Sequence, residues 1–243
     1  MTTFTYSPAI EDLPRKLKAR KLLTWLLLFA IVMFFAGLTS AYVVSMSGGF
    51  WTRITLPPAF LWSTVLIALG SLFVYLALRA ARAGAHQAVV LWLALTLLSG
   101  IGFTWSQFAG WSDLVSKGIH WSPNRMTMLT GTYGVDYVFQ KDGQDLVLAD
   151  GHFYKADDMA RQRPLDAELD EQKDRTGPYL YALTVLHLAH LAFGLLSVVV
   201  MLVMAMLRRY APQDHVGLWA GGMYWHFLGG LWVYLLLFLL FVH

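Results

Sequence analysis

The sequence predicts an all-α integral membrane protein: a bundle of five transmembrane helices, with a polar extracytoplasmic insert between helices 3 and 4 that holds a small β-meander. Three observations predict it. Of 243 residues, 57% are hydrophobic and only 14% are charged, a balance unlike that of a water-exposed globule. Five apolar runs reach or exceed the roughly 20 residues a bilayer requires. Basic residues flank alternate ends of those runs, as the positive-inside rule demands.

Composition also excludes chemistry. With no cysteine the chain has no disulfide, thiolate metal site, iron–sulfur cluster or cysteine nucleophile, so any metal would need histidine or carboxylate ligands. The net charge of +3 is small and sits beside apolar runs, which speaks for membrane orientation and against nucleic-acid binding.

Residues 1–20 form a polar, basic segment expected in the cytoplasm, with no evident cleavable signal. The first span is Lys21 to Met46, preceded by Arg15, Lys16, Lys18 and Arg20. Ser47-Gly48-Gly49 breaks it, and Phe50-Trp51 reads as an interfacial aromatic anchor. Leu56-Pro57-Pro58 opens the second span, since proline is tolerated where a helix start leaves its N–H unused anyway. That span runs to about Ala81, and Arg79 and Arg82 mark a return to the cytoplasm. The third, Gln87 to Trp111, carries Ser99, Gly100, Gly102 and Ser106, small residues that let helices approach closely. Gln107 is its one clearly polar member, read as an amide bonded to a neighbouring helix. Residues 21–111 thus form the first three helices.

Residues 112–177 hold twelve of the fifteen acidic residues and eight of the eighteen basic ones. Val135–Phe139, Asp145–Leu148 and His152–Tyr154 read as three strands joined by Asp142-Gly143 and Asp150-Gly151 turns, followed by a charged, helix-compatible stretch from Ala156 to Asp174. His120 and His152 have no companion at metal spacing and read as surface residues. Residues 178–243 supply the last two spans, Pro178 to Leu207 and Val216 to Val242. Arg208 and Arg209 close the fourth on the cytoplasmic side and are candidates for anionic lipid headgroups. An internal N-terminus and five spans put the C-terminus outside.

Two histidines, His187 and His190, stand three residues apart in the fourth span and share a helix face. His187 lies nine residues after Pro178, and His226 nine after Gly217, so each is about 14 Å deep. Such a set suits three chemistries: a hydrogen-bonded structural seam with Tyr181, Thr184 and Tyr224, a metal or haem site, or a proton path. The absence of a buried carboxylate near any span centre weakens the last.

Two elements carry a resemblance to subunit III of the haem–copper cytochrome oxidases, in its five-helix bacterial form. His187-Leu-Ala-His190 with Gly194 resembles the family's His-x-x-His element followed by glycine. Tyr224-Trp225-His226-Phe227 with Trp232 resembles its YWHF-x-x-x-x-W signature in the last helix. Met33 to Tyr42, Leu56-Pro57-Pro58 and Gln107 add weaker support. The resemblance covers the five spans and not the insert.

It implies an accessory subunit of aerobic respiration in the bacterial inner membrane, with no catalytic group, metal or redox cofactor of its own. Haem and copper would belong to partner subunits. The chain would lie against the catalytic subunit I, and against subunit II, bind phospholipids in a cleft between helical groups, keep proton uptake fast and protect the oxidase during turnover. His187, His190, Gly194, Tyr224, Trp225, His226, Phe227 and Trp232 would form a structural seam, with the imidazoles bonding between helices. The family's buried glutamate is Ile31 here, its Glu-Tyr after the third-span glutamine is Gly110-Trp111, and its aspartate after YWHF is Gly229. These changes remove carboxylates and leave packing and lipid binding intact. The insert is expected to cap a further respiratory-complex subunit. A subunit III-like accessory protein of nitric oxide reduction is the alternative within the family, and a histidine-ligated haem carrier the alternative outside it.

Overall fold

The computed structural model describes residues 8–47, 49–123, 125–210 and 216–242, with 8–17, 20 and 216 given by backbone alone. Five helices are long and apolar enough to cross a membrane. They are α1 (Pro8–Met46), α2 (Pro58–Arg82), α3 (His86–Ser116), α5 (Thr176–Met206) and α6 (Val216–Phe241). All five expected spans are helical. α1 starts well before Lys21, and α3 continues past Trp111 to Ser116. The first seven residues of the expected N-terminal segment, and Gly48 of the Ser47-Gly48-Gly49 break, lie outside the described residues, as do the side chains of Arg15, Lys16 and Arg20.

Proline positions α2 as expected: Pro57 caps it in an extended conformation and Pro58 occupies its first turn. At its other end Arg79 and Arg82 stand in the last turn, where cations complement the helix dipole. α2, α3, α5 and α6 form a block whose shared core includes Phe60, Ile67, Phe103, Leu183, Leu191, Trp225 and Trp232. α1 lies at its edge and buries a single narrow stripe, Leu28, Ile31, Phe35, Thr39 and Tyr42, at spacings of three and four.

At one end of the bundle sits an antiparallel sheet of order β1-β2-β3-β4, with β2 (Tyr137–Lys141), β3 (Gln144–Ala149) and β4 (His152–Lys155). Its two tight turns carry the expected Asp-Gly pairs, Asp142 and Gly143 and then Asp150 and Gly151, all at positive φ, which matches the right-handed twist of the flanking strands. The sheet differs from expectation in having four strands. β1 (Phe50–Ile54) comes from the loop after α1 and pairs with β2 from Phe50↔Lys141 to Ile54↔Tyr137. Trp51 is therefore no interfacial anchor: it is 2% exposed, between Tyr42 and Tyr179 at 5.1 and 6.5 Å. The stretch from Ala156 to Asp174 is helical only over α4 (Asp166–Glu171), which drops Leu169 into a second core with Tyr137, Phe139 and Leu146.

The sheet is tied to the bundle by buried polar groups. Asp174, 4% exposed, accepts the backbone N–H groups of Thr176 and Gly177 at 3.1 and 3.2 Å, covering donors that the start of α5 leaves unpaired. Thr52 of β1 donates its N–H to the Thr176 hydroxyl at 3.3 Å. Burial pushes the Asp174 carboxyl up from the ordinary range, partly offset by these donors. Nearby, Lys117 bridges Asp113 and Asp136 at 2.9 and 3.0 Å. Partial burial works against its charge, but the two carboxylates outweigh that and hold its pKa up. Asp136 is held low, first by the Thr132 N–H and then by Lys117.

Candidate functional site

The two sequence elements with the strongest signal lie on α5 and α6, and these helices meet along them. Trp225 fills a notch made by glycines of two other helices. A Cβ on Gly100 of α3 would stand 2.7 Å from Trp225 Cη2, and one on Gly70 of α2 3.1 Å from its Nε1. On Gly194 of α5 a Cβ would lie 2.7 Å from Leu228 Cδ1 and 3.7 Å from Trp225 Cε3. Gly100 and Gly70 thus leave the room the indole takes, Gly194 leaves room for Leu228, and the result is close helix approach.

Two turns further along α6, Trp232 is fully buried and donates its Nε1–H to Thr64 Oγ1 of α2 at 2.9 Å. Its ring meets Phe103 and Phe60 edge-on, with centroids 5.1 and 5.8 Å away. The His187 ring lies 5.3 Å from Trp232 and 5.9 Å from Phe103. His187 is 0% exposed, and among the described residues neither of its nitrogens has a hydrogen-bond partner.

The other histidines part company with it. His190 Nδ1 donates to the Leu186 carbonyl of its own helix at 2.7 Å, and its ring leans on Phe35 of α1 at 5.6 Å. His226 is exposed on the outer face of α6. The expectation that the three imidazoles bond between helices is therefore corrected. The hydrogen bonds that cross the block come from neighbours: Tyr224 donates to the His190 carbonyl at 3.0 Å, Trp111 Nε1 to Thr184 Oγ1 at 3.1 Å, and Gln107 Nε2 to Ser63 Oγ at 2.9 Å. The last is the interhelical role expected of Gln107. The His187 ring, set between Trp232 and Phe103, has no hydrogen-bond partner among the described residues, and this separates it from the seam envisaged from spacing alone.

Among the described residues no three histidine or carboxylate side chains gather closely enough to hold a metal ion. Phe227 is half-buried beside Gly230, and Gly194 is buried. At the far end from the sheet, Arg208 and Arg209 are exposed, and Arg208 lines a cavity of about 330 Å³ with His86, Gln87, Val90, Ala205 and Met206. Thr64, Gly70 and Phe103 are the site members that spacing missed. The small-residue run in α3 was the available signal, but which indole it receives depends on interhelical register.

The chain matches no protein-family model, and no curated protein matches it.

Proposed function

We propose that the chain is the accessory, non-redox subunit III of a proton-pumping haem–copper terminal oxidase, lying against the catalytic subunit and binding lipids. The observation that carries this reading is the joining of its two motif elements: Gly194 takes Trp225 and Leu228, Tyr224 reaches the His190 carbonyl, and Trp232 covers His187. Residues chosen for resemblance in two separate helices form one continuous contact whose members act by shape and hydrogen bonding. In this reading the protein is a multi-pass component of the bacterial inner membrane, with the sheet and the C-terminus outside and the basic end in the cytoplasm.

The mechanism is structural. The glycine–tryptophan block supplies a rigid wall, so its outer faces hold their shape against the catalytic subunit. Arg208, at the rim of its cavity with Arg209 beside it, attracts anionic headgroups by about 1 kcal/mol per basic residue near the surface. The sheet, standing on buried Asp174, offers an outer platform for a further subunit. Extraction of the native complex in mild detergent tests the reading. Recovery with a large histidine-rich oxidase subunit is the expected result. An intense Soret band from the isolated chain points instead to a haem carrier, and a nitric oxide-reducing partner to the alternative accessory role.

A further inference from the structure

Arg53 is the one exposed residue of β1. Strand alternation puts its side chain on the same side as Trp51, which packs on Tyr42 of α1 and Tyr179 of α5, so Arg53 is turned toward the end of the helical bundle. There it lines a cavity of about 290 Å³ with Ile54, Leu56, Val138, Leu239 and Leu240. Val138 stands opposite it on β2. Apart from Thr55, whose hydroxyl donates to the Val135 carbonyl at 2.6 Å, every other lining residue is aliphatic.

The guanidinium makes no ion pair or hydrogen bond with any described residue. No carboxylate lines the cavity, and that of Asp136, just before β2, is taken by Lys117 at 3.0 Å and the Thr132 N–H at 2.8 Å. Elsewhere at this end Lys117, Arg125, Lys155 and Arg161 each have a carboxylate within 3.4 Å. An unpaired guanidinium over an aliphatic floor suits an occupant that is anionic at one point and apolar next to it, and its planar fork matches a phosphate. Leu240, 43% exposed, begins a stripe with Leu237 and Val233 at spacings of three and four, which carries the apolar surface from the cavity down the span. A helix about 10 Å across fills roughly 400 Å³ per turn, more than the cavity holds. A phosphate with the first carbons of a chain is small enough to enter.

We infer that this cavity binds an anionic phospholipid, with the phosphate on Arg53 and the start of an acyl chain against Leu239 and Leu240. A zwitterionic headgroup would add an amine for which the cavity holds no carboxylate. The inference rests on the membrane-spanning part of the proposed function and not on the oxidase assignment. Its site lies at the opposite end of the bundle from Arg208 and Arg209.

Native mass spectrometry of the full-length chain in mild detergent, titrated with phosphatidylglycerol, tests this. Every chain compared carries Arg208→Gln and Arg209→Gln, which silences the other candidate headgroup site and keeps the two assignments separable. On that background Arg53→Gln weakens the first bound phosphatidylglycerol by about fivefold, the effect of one basic residue at a membrane surface. Because the side chain bonds to nothing in the fold, the thermal transition stays where it was. Arg163→Gln removes the same charge from another exposed position and leaves the affinity unchanged. Inorganic phosphate does not displace the lipid, since it gains nothing from the aliphatic floor. Unchanged affinity in Arg53→Gln overturns the inference and leaves the cation to water or to a carboxylate of another protein. An equal loss in Arg163→Gln overturns it too, as an effect of net charge alone. Displacement by inorganic phosphate also overturns it, reducing the site to a simple anion pocket. The chain is measured without any partner, so failure of the oxidase assignment leaves this result standing.

Discussion

The block formed by α2, α3, α5 and α6 and the edge helix α1 are built from similarly apolar sequence, yet they bury it differently. In the block, glycine on one helix faces tryptophan on another, and Thr64, Ser63 and Thr184 take up polar hydrogens that would otherwise be stranded. α1 meets the others along one stripe, and Leu22, Leu23, Trp25, Leu26, Phe29 and Met33 remain exposed. Hydropathy alone does not separate the two. What separates them is side-chain size: small residues admit close approach in the block, while α1 keeps its Gly37 on an open face. The block is closed by contacts between glycine and tryptophan on different helices, and α1 adds one buried stripe to it.

The sharpest way to break this contrast is Trp232→Ala. Removing a fully buried indole and its bond to Thr64 opens a cavity among Phe60, Phe103 and His187, at a cost of about 3–5 kcal/mol, measurable by thermal or denaturant unfolding in detergent. The matching change at the edge, Trp25→Ala at a residue 56% exposed, moves the same transition by less than about 0.5 kcal/mol. Gly100→Val comes next. The Trp225 ring cannot move aside as a flexible chain end can, so overpacking costs about 1–3 kcal/mol in the same assay.

Asp174→Ala sharpens the contrast at the sheet end. Losing two bonds to the start of α5 costs about 0.5–2 kcal/mol. The pH dependence carries a definite sign. Because burial raises the folded carboxyl above its ordinary value near 3.8, the folded protein keeps a proton that the unfolded chain has already released. The stabilisation linked to that proton is complete below the ordinary value and lost as pH rises through the raised one. Asp136 behaves oppositely: its contribution is present above the ordinary carboxyl range and lost as pH falls through its depressed value. Unfolding followed across acid to neutral pH should show a component that disappears in Asp174→Ala and persists in Asp136→Asn.

Among the buried positions the smallest effect belongs to His187→Leu. A buried ring with neither nitrogen paired among the described residues contributes shape and no hydrogen bond, so a hydrophobe of similar volume is neutral or stabilising, within about 1 kcal/mol. A large loss would show that the imidazole has a polar role.

Much of this was legible in the chain. Length and apolarity located all five long apolar helices, because an unbroken run of about 20 apolar residues is what a bilayer crossing requires. Asp-Gly pairs marked both hairpin turns, because two successive residues at positive φ strongly favour that chemistry. β1 was hidden: FWTRI beside an apolar run reads as a membrane-edge anchor, and its partner strand lies more than eighty residues away. Within the candidate site, the motif residues of α5 and α6 could be named from spacing, but not their partners. Whether His187 meets Trp232 and Phe103, or His226 turns outward, depends on helix rotation and register, which hydropathy leaves undetermined.

The most direct test of the central claim is mild-detergent purification of the full chain from its native membrane, with identification of its companions and a visible spectrum before and after the chain is separated from them. The account predicts a large histidine-rich subunit carrying all the haem absorbance, and a separated chain with none. A chain recovered alone as an oligomer, or one that keeps a Soret band after separation, would contradict it.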